Sequence, residues 1–172
     1  NLCHADPGGD PGIALIAFNA KVKAASLRGI REIPLESFLV GFLETALEPD
    51  EILSEISVPY PSPHTGLSYV KESVKFGGRT IASIAVAITM SGKHIREARI
   101  VLGAIGNKPF RATETEKLLY NIYVSENLEK AAEAAAEEAE PRSDLEGTKE
   151  YKKQIVKVIT RKVSTVSDKL LK

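Results

Sequence analysis

The residues best suited to chemistry lie near the start of the chain, where Gly8 and Gly9 precede Asp10-Pro11. Glycines let a ligand approach the backbone closely, and free backbone N–H groups ahead of a helix can hold a phosphate or a ribose hydroxyl. The same residues are typical of an ordinary surface turn in which an aspartate caps the next helix. The pattern alone leaves both interpretations open.

A short helix should follow this segment. Asp10 before Pro11 predicts a helix with aspartate as N-cap and proline at the first helical position. The apolar run over residues 13–18 then predicts that the helix is buried. Because the chain opens on Asn1 with neither an initiator Met nor a signal-peptide pattern, we expect it to begin inside a longer loop.

Few other residues indicate catalysis. His4, His64 and His94 are far apart and lack partners at ligand spacing, so the sequence predicts no metal site. Cys3 is the only cysteine, which excludes an internal disulfide. Cys3 and His4 are adjacent in a segment expected to be extended, where neighbouring side chains point apart. We therefore interpret Cys3 as a small structural residue.

Lys71 is a basic residue inside a predicted strand, between the apolar residues Val70 and Val74. Strand alternation favours a solvated lysine on the outer face of the sheet. A lysine in contact with a ligand is the alternative.

Composition excludes several classes of partner. The 172 residues include 23 acidic and 23 basic side chains, so no overall field favours nucleic acid or an anionic membrane. No apolar run approaches the roughly 20 residues that span a bilayer. We therefore expect a cytoplasmic protein that neither enters a membrane nor binds nucleic acid.

Toward the C-terminal end, strands and then helices follow one another in blocks, which predicts an α+β fold. Arg28-Gly29 and Ser91-Gly92 predict the turns of two hairpins. Thr113-Glu114-Thr115-Glu116 predicts a capping box at the start of a helix, and a second helix is expected over 126–140. The Pro-rich connector 60–66 is the softest boundary, and it suggests two units, 1–63 and 64–172.

Several separated segments, in the same order, resemble the FAD subunit of molybdenum hydroxylases, the family of aerobic carbon monoxide dehydrogenases and xanthine dehydrogenases. The resemblance extends over essentially the whole chain. The segments are Asn1-Leu2-Cys3-His4-Ala5-Asp6-Pro7 through Asp10-Pro11, Gly29-Ile30-Arg31-Glu32-Ile33-Pro34-Leu35-Glu36-Ser37-Phe38, Leu47-Glu48-Pro49-Asp50-Glu51-Ile52-Leu53, Tyr69-Val70-Lys71, Ala98-Arg99-Ile100-Val101-Leu102-Gly103 and Pro109-Phe110-Arg111-Ala112-Thr113-Glu114. One departure is Gly77-Gly78-Arg79-Thr80, where relatives often show Arg with a following Asp.

This resemblance implies a particular pair of domains. Residues 1–63 would be the C-terminal half of an FAD-binding domain of PCMH/VAO type, without its N-terminal subdomain. Residues 64–172 would be a carbon monoxide dehydrogenase flavoprotein C-terminal domain, with an antiparallel three-stranded sheet and helices.

The resemblance also implies which residues contact FAD. They are Asn1, Leu2, Asp6, Asp10, Leu53 and Lys71. Asn1 would lie along the phosphates and ribitol, and Asp10 would accept from a ribose hydroxyl on the adenosine side. Leu53 would pack near the isoalloxazine ring, and Lys71 would lie at its polar edge and stabilise the anionic reduced flavin. No catalytic residue or metal ligand is expected on this chain.

The implied function is electron transfer within a complex. A large subunit would carry the molybdenum cofactor, and a small subunit would pass electrons through iron–sulfur clusters to the flavin, which hands them to an external acceptor. The FAD site would be shared with the N-terminal FAD subdomain or with a separate half of a split subunit, and the isolated chain would be inactive. The alternative is an assembly or interaction module that kept the fold and lost flavin binding.

Overall fold

A long antiparallel sheet, with helices on both faces, organises the fold. The computed structural model describes residues 1–74, 78–122 and 128–162. The strands are β1 (Lys21–Ser26), β2 (Gly29–Pro34), β3 (Leu39–Gly41), β4 (Glu44–Thr45), β5 (Ile52–Ser57), β6 (Thr65–Ser73), β7 (Thr80–Ser91), β8 (His94–Gly103) and β9 (Phe110–Arg111). The helices are α1 (Asp10–Ala17), α2 (Leu35–Phe38), α3 (Thr113–Leu119), α4 (Leu128–Glu138) and α5 (Lys149–Arg161), preceded by a 3₁₀ turn at Leu2–His4.

The described strands form three antiparallel arrangements. The large sheet has the order β6-β7-β8-β9, and a smaller sheet has the order β2-β1-β5. β3 and β4 form a separate short hairpin. The predicted three-stranded sheet corresponds to β6, β7 and β8, which the two-residue β9 extends. Both predicted hairpin turns are confirmed, and Gly29 and Gly92 have the positive φ values that these turns require.

The two faces of the large sheet carry side chains of different size. Ile84, Val86 and Ile88 of β7 pack in a core with α3, α4 and α5. The opposite face meets α1 and is lined by smaller residues such as Ser83 and Ala85, both fully or almost fully buried. These small side chains allow α1 to approach the sheet closely.

Gly103 marks the closest approach of α1 to the sheet. A Cβ added to Gly103 would lie 2.0 Å from Cδ1 of Ile13 and 2.8 Å from Oγ of Ser83. Only glycine leaves room for the buried Ile13 side chain here. The start of α1 is therefore fixed against β8.

The residues of the N-terminal third share a core with the large sheet. We call it the N-terminal core; its buried members are Leu2, Ala5, Ile13, Ile16, Ala17, Ala20, Val22, Ala24, Ile33, Leu35, Phe38, Leu39, Ala85 and Val101. The last two belong to β7 and β8. The predicted division into 1–63 and 64–172 stays a prediction, since this core draws on both sides of it.

The predicted side-chain caps of two helices are wrong. Gly9, rather than Asp10, is the N-cap of α1, and Asp10 is the first helical residue. No side chain caps α1, because the Asp10 carboxylate has partners elsewhere in the fold. At α3 the N-cap is Ala112, and Glu116 does not form the predicted capping box.

The glutamates around α3 form longer-range contacts instead. Glu116 accepts hydrogen bonds from the Ile100 backbone N–H and from the Arg111 guanidinium. Glu138 of α4 accepts from the backbone N–H groups of Glu114 and Thr115, which satisfies the free amides of the helix terminus. Of the predicted helix over 126–140, residues 126 and 127 lie outside the described part of the chain.

None of the helices in the described ranges has the length and apolar character needed to cross a membrane.

Candidate functional site

A cleft of about 960 Å³ opens where α1 begins. It lies between the N-terminal loop (residues 1–9), the end of β6, the loop after β8 and the segment leading into α5. The lining residues are Asn1, Asp6, Pro7, Gly8, Gly9, Asp10, Pro11, Phe42, Lys71, Gly78, Arg79, Thr80, Ala104, Ile105, Gly106, Asn107, Glu140, Arg142, Asp144, Glu146 and Lys152.

Three side chains meet at the edge of this cleft, and we call them the Asp10 cluster: Asp10, Tyr69 and Lys71. The Tyr69 hydroxyl donates to Oδ1 of Asp10 at 2.7 Å. The Lys71 ammonium donates to Oδ1 and Oδ2 of Asp10, at 3.1 Å each. Tyr69 and Lys71 are two residues apart on β6, so both side chains leave the same face of the strand. That face is the one toward α1.

The Asp10 cluster keeps its carboxylate ionised. The hydrogen bond from Tyr69 lowers the pKa of Asp10, partial burial opposes this, and the hydrogen bond and charge of Lys71 lower the pKa further. Asp10 is therefore a hydrogen-bond acceptor at neutral pH. Lys71, in turn, is not the solvated outer-face lysine that strand alternation favoured.

The direct Asp10–Lys71 contact bears on the two roles implied by the family resemblance. The adenosine ribose and the isoalloxazine ring lie at opposite ends of an extended FAD. Nζ of Lys71 and Oδ1 of Asp10 lie 3.1 Å apart. The separate roles that the resemblance implies for these two residues stay predictions.

The N-terminal loop is stabilised by Asp6. Its Oδ1 accepts from the Gly8 N–H at 2.8 Å, and its carbonyl oxygen accepts from the Gly9 N–H at 2.9 Å. These two glycine amides are therefore paired within the loop, as in an ordinary turn, and are not free for a phosphate. The Ala104 N–H also donates to the Pro7 carbonyl, which ties the loop to the end of β8.

The other predicted site residues lie in different surroundings. Asn1 lines the cleft, whereas the Leu2 side chain is buried in the N-terminal core. Leu53 is partly buried against that same core and is not among the residues that line the cleft. Cys3 is exposed in the 3₁₀ turn Leu2–His4, and its interpretation as a small structural residue stays a prediction.

Phe42 is a cleft residue that the sequence analysis missed. It lies in the turn between β3 and β4, and 65% of it is exposed. Its neighbour Leu43 has φ 56°, a strained conformation for a bulky residue. The Leu43 N–H donates to the Ala5 carbonyl, which holds the turn beside the N-terminal loop. The signal that the sequence offered for this site was a large aromatic residue in a short turn.

Tyr69 belongs to the Tyr69-Val70-Lys71 segment of the family resemblance, which implies a ligand contact for Lys71 but none for Tyr69. The signal was its i, i+2 spacing from Lys71, which places both side chains on one face of β6. The partner, Asp10, is 59 residues away in sequence, and no local pattern predicts that contact.

The far wall of the cleft is charged. Arg79 forms an ion pair with Glu146 at 2.6 Å, and the buried Lys152 pairs with Asp144. Of the segment that departs from the family pattern, Gly77 lies outside the described residues, while Gly78, Arg79 and Thr80 line the cleft. In the ranges that the structure describes, no three His, Cys, Asp or Glu residues are grouped as metal ligands.

Two families match the chain in sequence. Residues 1–61 match the FAD binding domain in molybdopterin dehydrogenase. Residues 77–165 match the CO dehydrogenase flavoprotein C-terminal domain. The cleft draws residues from both matched regions.

Individual relatives of the chain are medium chains of dehydrogenases. The glyceraldehyde dehydrogenase medium chain of Sulfolobus acidocaldarius is 31% identical over 162 residues, which are 94% of this chain and 57% of the relative. The carbon monoxide dehydrogenase medium chain of Afipia carboxidovorans is 31% identical over 163 residues, with the same coverage. The chain thus spans a little over half the length of the curated relatives that it matches.

Solved structures share the fold. A carbon monoxide dehydrogenase from Hydrogenophaga pseudoflava superposes with a TM-score of 0.92 at 29% identity, covering 98% of this chain and 59% of that one. Quinoline 2-oxidoreductase from Pseudomonas putida 86 gives a TM-score of 0.91 at 27% identity, covering 99% and 60%.

Proposed function

The chain belongs to the FAD-binding medium subunits of the molybdenum hydroxylases, and on that premise we propose that it forms one wall of an FAD site in an electron-transfer subunit. The observation that carries the proposal is the Asp10 cluster at the edge of the cleft. It joins the cationic donor Lys71 to an ionised acceptor, Asp10, which lies within the region that matches an FAD-binding family. In the proposed function, electrons arrive from iron–sulfur clusters of a partner subunit and leave to an external acceptor.

The residues present suit such a cofactor. Cofactor sites are commonly clefts of roughly 300–1,000 Å³, and this cleft lies within that range. Asp10 accepts from a hydroxyl or ring N–H, and Lys71 donates to a carbonyl or phosphate oxygen. Phe42 offers an apolar face in the same cleft. When bound, FAD supplies the electron-accepting chemistry, which the chain itself lacks.

Asp10 limits how much positive charge Lys71 presents. Because the carboxylate lies 3.1 Å from the ammonium, it offsets part of the field that would stabilise an anionic flavin. In this proposal the pair acts mainly by binding and orienting one segment of the cofactor. Electrostatic tuning of the flavin by Lys71 is then weaker than for an unpaired lysine.

We also propose what completes the FAD site and which subunits form the complex. Since the chain spans about 57% of the relatives' length, the remaining wall of the cleft would come from an N-terminal FAD subdomain or from a split subunit. The partners would be a large molybdenum subunit and a small iron–sulfur subunit. Residues 1–63 would contribute to the FAD site and 64–172 would form the C-terminal domain, with no activity in the isolated chain.

The proposal is tested by flavin retention. The chain is combined with a fragment that carries the missing N-terminal FAD loop, and flavin absorbance is followed through gel filtration. Asp10→Ala should weaken FAD binding by about 1–3 kcal/mol, or roughly 5- to 150-fold, because a hydrogen bond to a charged group is lost.

Asp50→Ala is the matched control, because this exposed aspartate pairs with Arg28 and does not line the cleft. It should leave FAD binding unchanged. A well-folded pair that retains no flavin would contradict the proposal and favour an assembly module. Equal effects of the two substitutions would remove Asp10 from the site.

A further inference from the structure

We propose that Tyr69 is a positioning residue of this site, which fixes the Asp10 carboxylate so that one of its oxygens stays available to the ligand. The inference rests on the proposed function, because it takes Asp10 to contact FAD. It adds a residue that acts through Asp10 and not by touching the cofactor.

The two oxygens of Asp10 have different partners. Oδ1 accepts from the Tyr69 hydroxyl at 2.7 Å and from the Lys71 ammonium at 3.1 Å. Oδ2 accepts, among the residues that the structure describes, only from Lys71, at 3.1 Å. A carboxylate oxygen offers about two lone-pair sites, so Oδ1 is filled and Oδ2 retains one acceptor site. That remaining site is the one that a hydroxyl or N–H of the ligand can use.

Lys71 alone cannot produce this difference. Its ammonium lies at the same distance from both oxygens, and it is carried on a flexible four-carbon chain. Tyr69 has a rigid ring with only two side-chain torsions, and its hydroxyl contacts one oxygen only. Tyr69 therefore selects which oxygen of Asp10 is left for the ligand.

Tyr69 is placed to hold the Asp10 carboxylate and not to contact the ligand directly. It is not among the residues that line the cleft, whereas Asp10 and Lys71 are. β6 pairs with β7 in a register that sets Tyr69 opposite Ala85, a buried member of the N-terminal core. Burial and the hydrogen bond to Asp10 raise the pKa of the Tyr69 phenol, so it remains a protonated donor.

The test replaces Tyr69 by phenylalanine, which removes the donor and keeps the ring. In the flavin-depleted native enzyme, the Kd for added FAD should rise about two- to tenfold, as expected for the loss of one hydrogen bond. A carboxyl carbon NMR titration without flavin should show a raised pKa for Asp10. Tyr60→Phe, at a fully exposed tyrosine outside the cleft lining, is the control and should change neither value.

A double variant separates positioning from a general structural effect. In an Asp10→Ala background, Tyr69→Phe should cause no further loss of FAD affinity, because its effect passes through Asp10. An additional loss as large as in the wild type would overturn the inference, as would an unchanged Asp10 titration. If the wild-type enzyme itself fails to bind FAD, the proposed function fails and the inference falls with it. Normal wild-type binding that Tyr69→Phe leaves unaltered overturns the inference alone.

Discussion

Replacing Gly103 by alanine should destabilise the fold through α1. The added Cβ would lie 2.0 Å from Cδ1 and 2.6 Å from Cγ1 of Ile13, far inside normal contact distance. Ile13 is fully buried in the N-terminal core, so its side chain has no free space into which to turn. Overpacking of this kind costs about 1–3 kcal/mol. For a chain of this size, that cost lowers Tm by roughly 2–12 °C.

Thermal and denaturant unfolding of the variant measure this cost. Gly106→Ala is the matched control, because its Cβ would meet only the Lys108 carbonyl, at 3.7 Å. Ile13→Val removes the atom closest to the new methyl group, so the Gly103→Ala/Ile13→Val double variant should lose less stability than the two single variants summed. A Gly103→Ala protein within about 0.5 kcal/mol of wild type would refute the close-packing argument.

Gly103→Ala should also change the geometry of the candidate site. Ile13 lies one helical turn after Asp10, so a shift of α1 moves the Asp10 carboxylate relative to Tyr69 and Lys71. We expect Gly103→Ala to weaken FAD binding in the assembled site even at temperatures where the variant is folded. Normal FAD affinity in a destabilised variant would show that the sheet absorbs the strain without moving α1.

Two further predictions concern other residues. Arg31 and the Glu48 N–H lower the pKa of Glu51 to about 2, so the stability that this carboxylate contributes is present above its ordinary pKa of 4.5 and is lost as pH falls toward 2. Denaturant midpoints measured from pH 6 to pH 2 should fall less steeply in Glu51→Gln than in wild type, and parallel curves would contradict this. Phe42→Ala should weaken FAD binding in the assembled site by about tenfold, as for loss of an aromatic contact, with an unchanged melting temperature. A lower melting temperature with unchanged binding would make Phe42 a folding residue instead.

Local elements of this fold could be predicted because their signals are local. The turns at Arg28-Gly29 and Ser91-Gly92 need a residue with positive φ, and glycine supplies it. The many Ile, Val and Ala residues of β7 likewise match its burial on both faces. Each of these features depends on residues that are close in sequence, so a local sequence pattern is enough to predict it.

The partners of individual carboxylates could not be predicted in the same way. Asp10 and Glu116 both occupy positions typical of helix caps, yet each binds partners on other elements. Asp6 satisfies the two glycine amides that a ligand-binding loop would leave free. Which hydrogen-bond partner a side chain binds depends on the groups that the tertiary fold brings near it. A local sequence pattern gives no information on those groups.

The way α1 packs against the sheet also determines when the site can form. At eight residues, α1 is too short to be a stable helix on its own. It is held by Ile13 against Gly103 and by a core that includes Ala85 and Val101. Because α1 and the strands that hold it are far apart in sequence, Asp10 meets Tyr69 and Lys71 only when α1 packs on the large sheet. Any change that loosens this packing therefore also loosens the acceptor of the candidate site.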